Sequence, residues 1–237
     1  MRRFFVVQDE SGKDFTGFLT GQTVILDPVQ SKHAWRVLRL EVGKTVELVD
    51  GSGQLAVGVI QKIKPIMAVL VEQVTVILPV SPHVTLACAI PKGGRADDMV
   101  NQLCQLGLDD LIPLHTTRSV VEPGQAKLDR YQRIMAEASK QCGRSHRMVV
   151  SPVMSLQDLE TRDFDEKRIG LPTGEAVDLP QASVKKLLIV IGPEGGFTDQ
   201  EEAWAAEQGY IRWQFGPHIL RIETAAVASV AIIRSKS

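Results

Sequence analysis

The chain has 237 residues, of which 44% are hydrophobic and 23% charged, and its formal net charge is −1. Such a composition excludes a disordered or low-complexity chain and suffices for one large domain or two small ones. It also excludes a globally basic nucleic-acid binder, so a nucleic-acid partner would have to be met by a local basic face.

The start, Met1-Arg2-Arg3-Phe4-Phe5-Val6-Val7, opens like a secretory leader but meets Asp9 and Glu10 after four apolar residues, too few for a leader core. Lys62, Lys64 and Glu72 interrupt the richest apolar stretch, so no membrane span is expected. Cys88, Cys104 and Cys142 are odd in number and widely spaced, which points to neither a disulfide framework nor a zinc site. His83, His115, His146 and His218 show no ligand spacing either. The expectation is a cytoplasmic chain without metal or membrane.

Up to residue 78 the pattern predicts short strands and turns. Thr45–Val49 is β-prone, Asp50-Gly51-Ser52-Gly53 is a turn signal, and Leu55–Ile60 resumes with alternating Val57 and Val59. Met67–Val71 and Val74–Leu78 add two more strands. A helix is expected over Ser31–Leu40, with His33, Arg36 and Arg39 on one face. Several short strands with one helix suggest a small β-barrel.

Pro79-Val80-Ser81-Pro82 marks a break, because proline disfavours helix and sheet interior. From residue 79 to 237 strands and helices alternate. Val84–Ile90 reads as a buried strand, Asp97–Leu106 as a helix with Met99, Val100, Leu103 and Leu106 on one stripe, and Leu111–Leu114 as a strand. Lys127–Gln141 reads as a helix, and Arg168–Leu171, Leu187–Ile191 and Ile211–Phe215 as further strands. Thr198-Asp199-Gln200-Glu201 is a capping box for a helix ending near Gly209, and Thr224–Ile233 is a helix apolar on nearly all sides. This alternation predicts an α/β fold with a parallel sheet and a ligand site at the carboxyl ends of its strands.

Two Gly/Pro loops in this half carry the functional signal. Ile191-Gly192-Pro193-Glu194-Gly195-Gly196-Phe197-Thr198 and Gly216-Pro217-His218-Ile219-Leu220-Arg221-Ile222-Glu223-Thr224-Ala225 each leave an apolar strand and enter a helix. Glycine lets bare backbone approach a ligand closely. Neither loop has the Gly-Lys-Ser/Thr ending or the G-x-G-x-x-G spacing of the familiar phosphate loops. One site built largely from main-chain groups is expected.

Taken with His33 to Arg39, Asp50-Gly51, Leu106-Gly107, Ile112-Pro113, Arg118 and Gln141-Cys142-Gly143-Arg144, the paired loops resemble the RsmE family, small-subunit ribosomal RNA uridine N3-methyltransferases of the SPOUT superfamily. The resemblance implies a PUA-like RNA-binding β-barrel over 1–78 and a SPOUT methyltransferase domain with a C-terminal trefoil knot over 79–237. It further implies S-adenosylmethionine as methyl donor and a homodimer acting on small-subunit ribosomal RNA or the assembled subunit. Gln102 and Gln105 depart from the family, whose members often carry Lys and Glu there. Two other readings remain open: a SPOUT enzyme for another base or ribose 2′-O, and a non-catalytic RNA-binding or assembly protein.

On this reading Leu171, Ile191, Gly192, Pro193, Glu194, Gly195, Gly196, Phe197, Gly216, Leu220, Arg221, Ile222, Thr224 and Ala225 would form the donor pocket. Arg221 would stabilise the uracil anion through O2 or O4, and Glu223 or Glu194 would act as base or orient Arg221. Each also has a structural reading: Glu194 can hold its turn, Glu223 can complement a helix dipole, and Arg221 can simply pair with Glu223. Candidate RNA contacts are Arg2, Arg3, Lys32, Arg36 and Arg39 in the first half, then Lys92, Arg95, Arg118, Arg144 and Arg147.

Overall fold

A computed structural model of the chain describes residues 1–6, 15–175 and 179–235; Val7, Asp9 and Glu10, weighed above against a leader, lie outside the described residues. The chain divides into one unit of Met1–Pro79 with Ser139–Arg147 and another of Val80–Ala138 with Met148–Ser237.

In the first unit β1 (Arg2–Phe5), β2 (Thr23–Ile25), β3 (Thr45–Val49), β4 (Gln54–Lys62) and β5 (Ala68–Val76) form a sheet in the order β1-β3-β4-β5-β2. Only β1 and β3 run parallel in it. Inward residues such as Phe4, Leu48, Ala56, Ile60 and Val69 bury one core. The two strands expected over 67–78 are a single β5. Gln73 pairs with Val57 and Val71 with Gly58, so Glu72 is the extra residue of a bulge. The helix α1 spans Pro28–Arg36, earlier than expected, because Asp27 caps it by accepting from Gln30 N at 2.9 Å and Pro28 supplies its first turn. Arg39 therefore lies beyond the helix, at φ 51°, and does not share a face with His33 and Arg36.

The second unit contains β6 (His83–Cys88), α2 (Arg95–Gln105), β7 (Asp110–His115), α3 (Gln125–Cys142, its last turn grouping with the first unit), β8 (Val149–Val150) and β9 (Met154–Ser155). There follow β10 (Glu166–Glu175), β11 (Lys186–Ile191), α4 (Asp199–Glu207), β12 (Ile211–Trp213) and α5 (Ile222–Arg234). The sheet order is β12-β10-β11-β6-β7-β8, with β9 also on β7, and every pairing is parallel. The expected parallel α/β sheet is thus present.

Side chains alternate across the sheet with period two. Leu187, Ile189 and Ile191 of β11 join Val84, Leu86 and Cys88 of β6 in a core shared with α2, α3 and α5. Leu188 and Val190 join Ala87, Ile112 and Ile169 in a second core, against α4. Both faces are covered, which explains the continuous apolar runs. Arg168 is a charged residue buried within the sheet: it pairs with Glu166 at 2.5 Å and lies 4.9 Å from the Trp213 ring centroid.

Helix α5 is tied at its far end by Arg234, which donates to Gly107 O at 3.0 Å and Pro82 O at 2.8 Å and pairs with Asp109. Asp109 in turn accepts from Val84 N at 2.8 Å, so this ion pair joins α5 to the start of β6. No helix among the described residues is long and apolar enough to cross a membrane. Arg234→Ala leaves a nearly buried carboxylate without its cation; the expected loss is about 3–5 kcal/mol of unfolding free energy in urea titrations.

Candidate active site

The first glycine loop, residues 192–198, runs from β11 to α4. Pro193 O accepts from Gly196 N at 2.8 Å, closing a turn in which Gly196 takes φ 69°, a conformation that favours glycine. Thr198 caps α4 through the full capping box: Glu201 N donates to Thr198 Oγ1, and the Glu201 side chain returns to Thr198 N at 2.7 Å. The second loop, residues 214–221, runs from β12 to α5, whose N-cap is Arg221.

Between these loops, at the carboxyl ends of β11 and β12 and beside Gly170, Leu171 and Pro172 of β10, lies a cavity of about 880 Å³ including its solvent-open part. Of the residues expected to form the pocket, Leu171, Ile191, Gly192, Pro193, Glu194, Gly196, Phe197, Leu220, Ile222 and Ala225 line it. Gly195, Gly216, Arg221 and Thr224 do not. Sequence reasoning missed Gly170, Phe215 and His218, which also line it. A Cβ on Gly170 would stand 2.8 Å from both Ile191 Cδ1 and a Phe215 ring carbon, and one on Gly192 would stand 2.7 Å from the Phe197 ring. A glycine inside a strand was the available signal of such a close approach.

A smaller recess shares Pro193, Glu194 and Ile222 with this cavity and is completed by Ala89, Ile90, Lys92, Ser119, Val120 and Val121. Glu194 thus stands at the border of the two spaces. Arg95, expected as an RNA contact, opens α2 and reaches this border: its Nη2 donates to Glu194 Oε1 at 3.1 Å, and its Nη1 lies 3.4 and 3.5 Å from the two Glu223 carboxylate oxygens. The Glu194 hydrogen bond and, further, the Glu223 charge hold the guanidinium above its ordinary pKa. The cluster carries two negative charges and one positive. Glu223 is half-buried on α5 and is Arg95's partner; the alternative pairing of Arg221 with Glu223 is not what the structure has. Arg221 is exposed, and its side chain has no hydrogen bond or ion pair among the described residues.

Beneath the cluster lies Cys88, fully buried at the end of β6 and paired in register with Ile191. Burial, and then the Glu223 charge, push its thiol well above the ordinary range.

The other arginines divide. Arg118 Nη1 donates to Gly195 O at 2.8 Å and Phe197 O at 3.0 Å, so it holds the first loop. Arg3 pairs with Glu47 at 2.9 Å and donates to Gly143 O, while Arg144 donates to His146 O. Arg36 lies 5.1 Å from the Trp35 ring centroid. Arg2, Lys32, Arg39, Lys92 and Arg147 are exposed. No group of three or more His, Cys, Asp or Glu among the described residues is placed to hold a metal ion.

This fold and cavity are those of a nucleic-acid-modifying class: residues 79–234 match the RNA methyltransferase domain and residues 26–72 the RNA methyltransferase PUA domain. The chain is 32% identical over 227 residues to ribosomal RNA small subunit methyltransferase E of Synechocystis sp., covering 90% of this chain and 73% of that protein. It is 28% identical to the Bacillus subtilis protein of the same name, over 98% of this chain and 96% of that one. The Neisseria gonorrhoeae ribosomal RNA small subunit methyltransferase E, solved bound to S-adenosyl methionine, superposes with TM-score 0.86 at 25% identity, covering 100% of this chain and 98% of that one. A Legionella pneumophila methyltransferase in complex with SAM superposes with TM-score 0.81 at 26% identity, over 99% and 97% of the two chains. The chain belongs to the ribosomal RNA small subunit methyltransferase E family.

One carboxylate ties the end of the first glycine loop to the segment after β7. Glu201 Oε1 accepts from Thr117 N and Oγ1 at 2.9 and 3.0 Å, and its Oε2 accepts from Thr198 N and Oγ1 at 2.7 and 3.0 Å. Burial alone would raise its pKa, but the four donors outweigh burial and hold it below the ordinary value of 4.5. A carboxyl whose folded pKa is depressed stabilises the fold above its unfolded pKa and loses that contribution as pH falls through the folded one. Glu201→Gln should therefore cost about 1–3 kcal/mol at neutral pH. The gap to wild type should narrow below pH 4.5, as read from melting temperatures across pH.

Proposed function

We propose that this chain transfers a methyl group from S-adenosylmethionine to N3 of one uridine in small-subunit ribosomal RNA. The observation that carries the reading is the cavity between the two glycine loops with Glu194 at its border. The residues fit the donor. Leu171, Ile191, Phe215, Leu220 and Ile222 offer apolar walls for an adenine ring, and the bare backbone around Gly192 can meet its polar edge. The net negative cluster of Arg95, Glu194 and Glu223 suits a cationic donor.

When bound, S-adenosylmethionine would supply an electrophilic methyl group, transferred in line as the methyl–sulfur bond breaks and S-adenosylhomocysteine leaves. The acceptor uracil approaches from the recess beside Lys92 and Val121. Glu194 takes the N3 proton on its Oε2, since Oε1 is held by Arg95. Glu223, with both oxygens on Arg95, is an anchor rather than the base. Arg221 reaches the O2 or O4 edge and stabilises the charge left by the proton. Arg2, Lys32, Arg36, Arg39 and Arg147 contact RNA phosphates, and the same would hold for Lys92. The enzyme acts in the cytoplasm as a homodimer, its C-terminal segment threaded as a trefoil knot. Val227 and Ile232, incompletely covered on α5, support a partner subunit there.

Incubation with unmethylated small subunits and S-adenosylmethionine, followed by nucleoside mass spectrometry, should yield 3-methyluridine. Product on ribose or another base, or no product, defeats the assignment. Glu194→Gln should lower kcat by about 10²- to 10⁴-fold. Glu223→Gln should lower it less, in single-turnover measurements with saturating donor.

A further inference from the structure

The segment after β7 reaches the first glycine loop directly through Arg118, and through Thr117 by way of Glu201 on α4. Thr117 delivers its N–H and hydroxyl to Glu201, which also holds Thr198 at the end of the loop. Arg118, the next residue, lays its stem against Gly195, where a Cβ would stand 3.4 Å from Arg118 Cβ and Cδ, and donates to the Gly195 and Phe197 carbonyls. These carbonyls lie on either side of Gly196, the residue at φ 69°. Neither Arg118 nor Gly195 lines the cavity, whereas Gly192, Pro193, Glu194, Gly196 and Phe197 do.

We infer that Arg118 is a positioning residue for the methyl donor. With the Glu201 bonds to Thr117 and Thr198 fixing the adjoining backbone, it clamps the Gly195 and Phe197 carbonyls and so presets the loop residues that line the donor cavity. The inference rests on the reading of that cavity as the donor pocket. It assigns Arg118 a role other than phosphate contact, although the residue is exposed and cationic. The clamp works by pre-organisation: a charged donor that bridges two carbonyls removes loop conformations the donor would otherwise have to select against.

The test is calorimetry with S-adenosylhomocysteine on the full chain, together with KM for S-adenosylmethionine and RNA affinity across salt. Arg118→Ala should raise the S-adenosylhomocysteine Kd by about ten- to one hundredfold, the scale of one lost charge-assisted interaction. The KM for donor should rise with it, kcat at saturating donor should change less, and RNA affinity and its salt slope should stay at wild-type values. Arg118→Lys, which keeps a charge and a donor on a shorter reach, should bind more tightly than Arg118→Ala. Guanidinium at non-denaturing concentration should restore part of the lost affinity to Arg118→Ala, a response that general destabilisation would not give. Unchanged donor Kd in both variants overturns the inference, and a weaker, less salt-dependent RNA affinity alongside it would make Arg118 a phosphate contact. If wild type itself takes up no S-adenosylhomocysteine, the donor-pocket reading fails and the inference falls with it.

Discussion

The site depends on the confinement of β11. This strand is paired with β10 on one edge and β6 on the other, and its side chains from Leu187 to Ile191 are buried on both faces. It can neither slide nor rotate without moving apolar side chains out of two cores at once. Its carboxyl end therefore delivers Gly192 to one fixed point, level with the end of β6 and beside Gly170 of β10. A loop of weakly constrained residues becomes a defined surface because the element feeding it has no freedom left.

What local chemistry encodes was legible in the chain. The apolar runs of β6 and β11 and the capping box at Thr198 need only near neighbours, and each stands where its pattern placed it. The two glycine loops likewise flank one cavity. Other features depend on residues far apart. A strand bulged at Glu72 looks like two strands, because the extra residue interrupts the alternation that defines one. Arg95 meets carboxylates 99 and 128 positions away, and nothing adjacent to it names those partners. A basic residue near a ligand-binding loop advertises its charge, not whether that charge faces solvent, a carboxylate or a carbonyl.

The arginines show how packing sorts such charges. Arg95 and Arg118 stand at the ends of neighbouring parallel strands, where backbone carbonyls and carboxylates from other loops converge, and both turn inward to them. Arg39 and Arg221 have no such neighbours and remain extended to solvent. The distinction matters chemically, because an arginine already bonded to two carboxylates fixes geometry, while an unpaired one can follow charge as it develops on a substrate.

Cys88 adds a consequence of a different kind. Sulfonium compounds alkylate thiolates readily, and Cys88, buried beside Ile191 at the end of β6, lines neither the cavity nor the recess. Burial and the adjacent Glu223 charge keep the group a thiol, and a thiol is a poor nucleophile. The core that backs the site thus holds a neutral sulfur, kept so by burial first and by the Glu223 charge second.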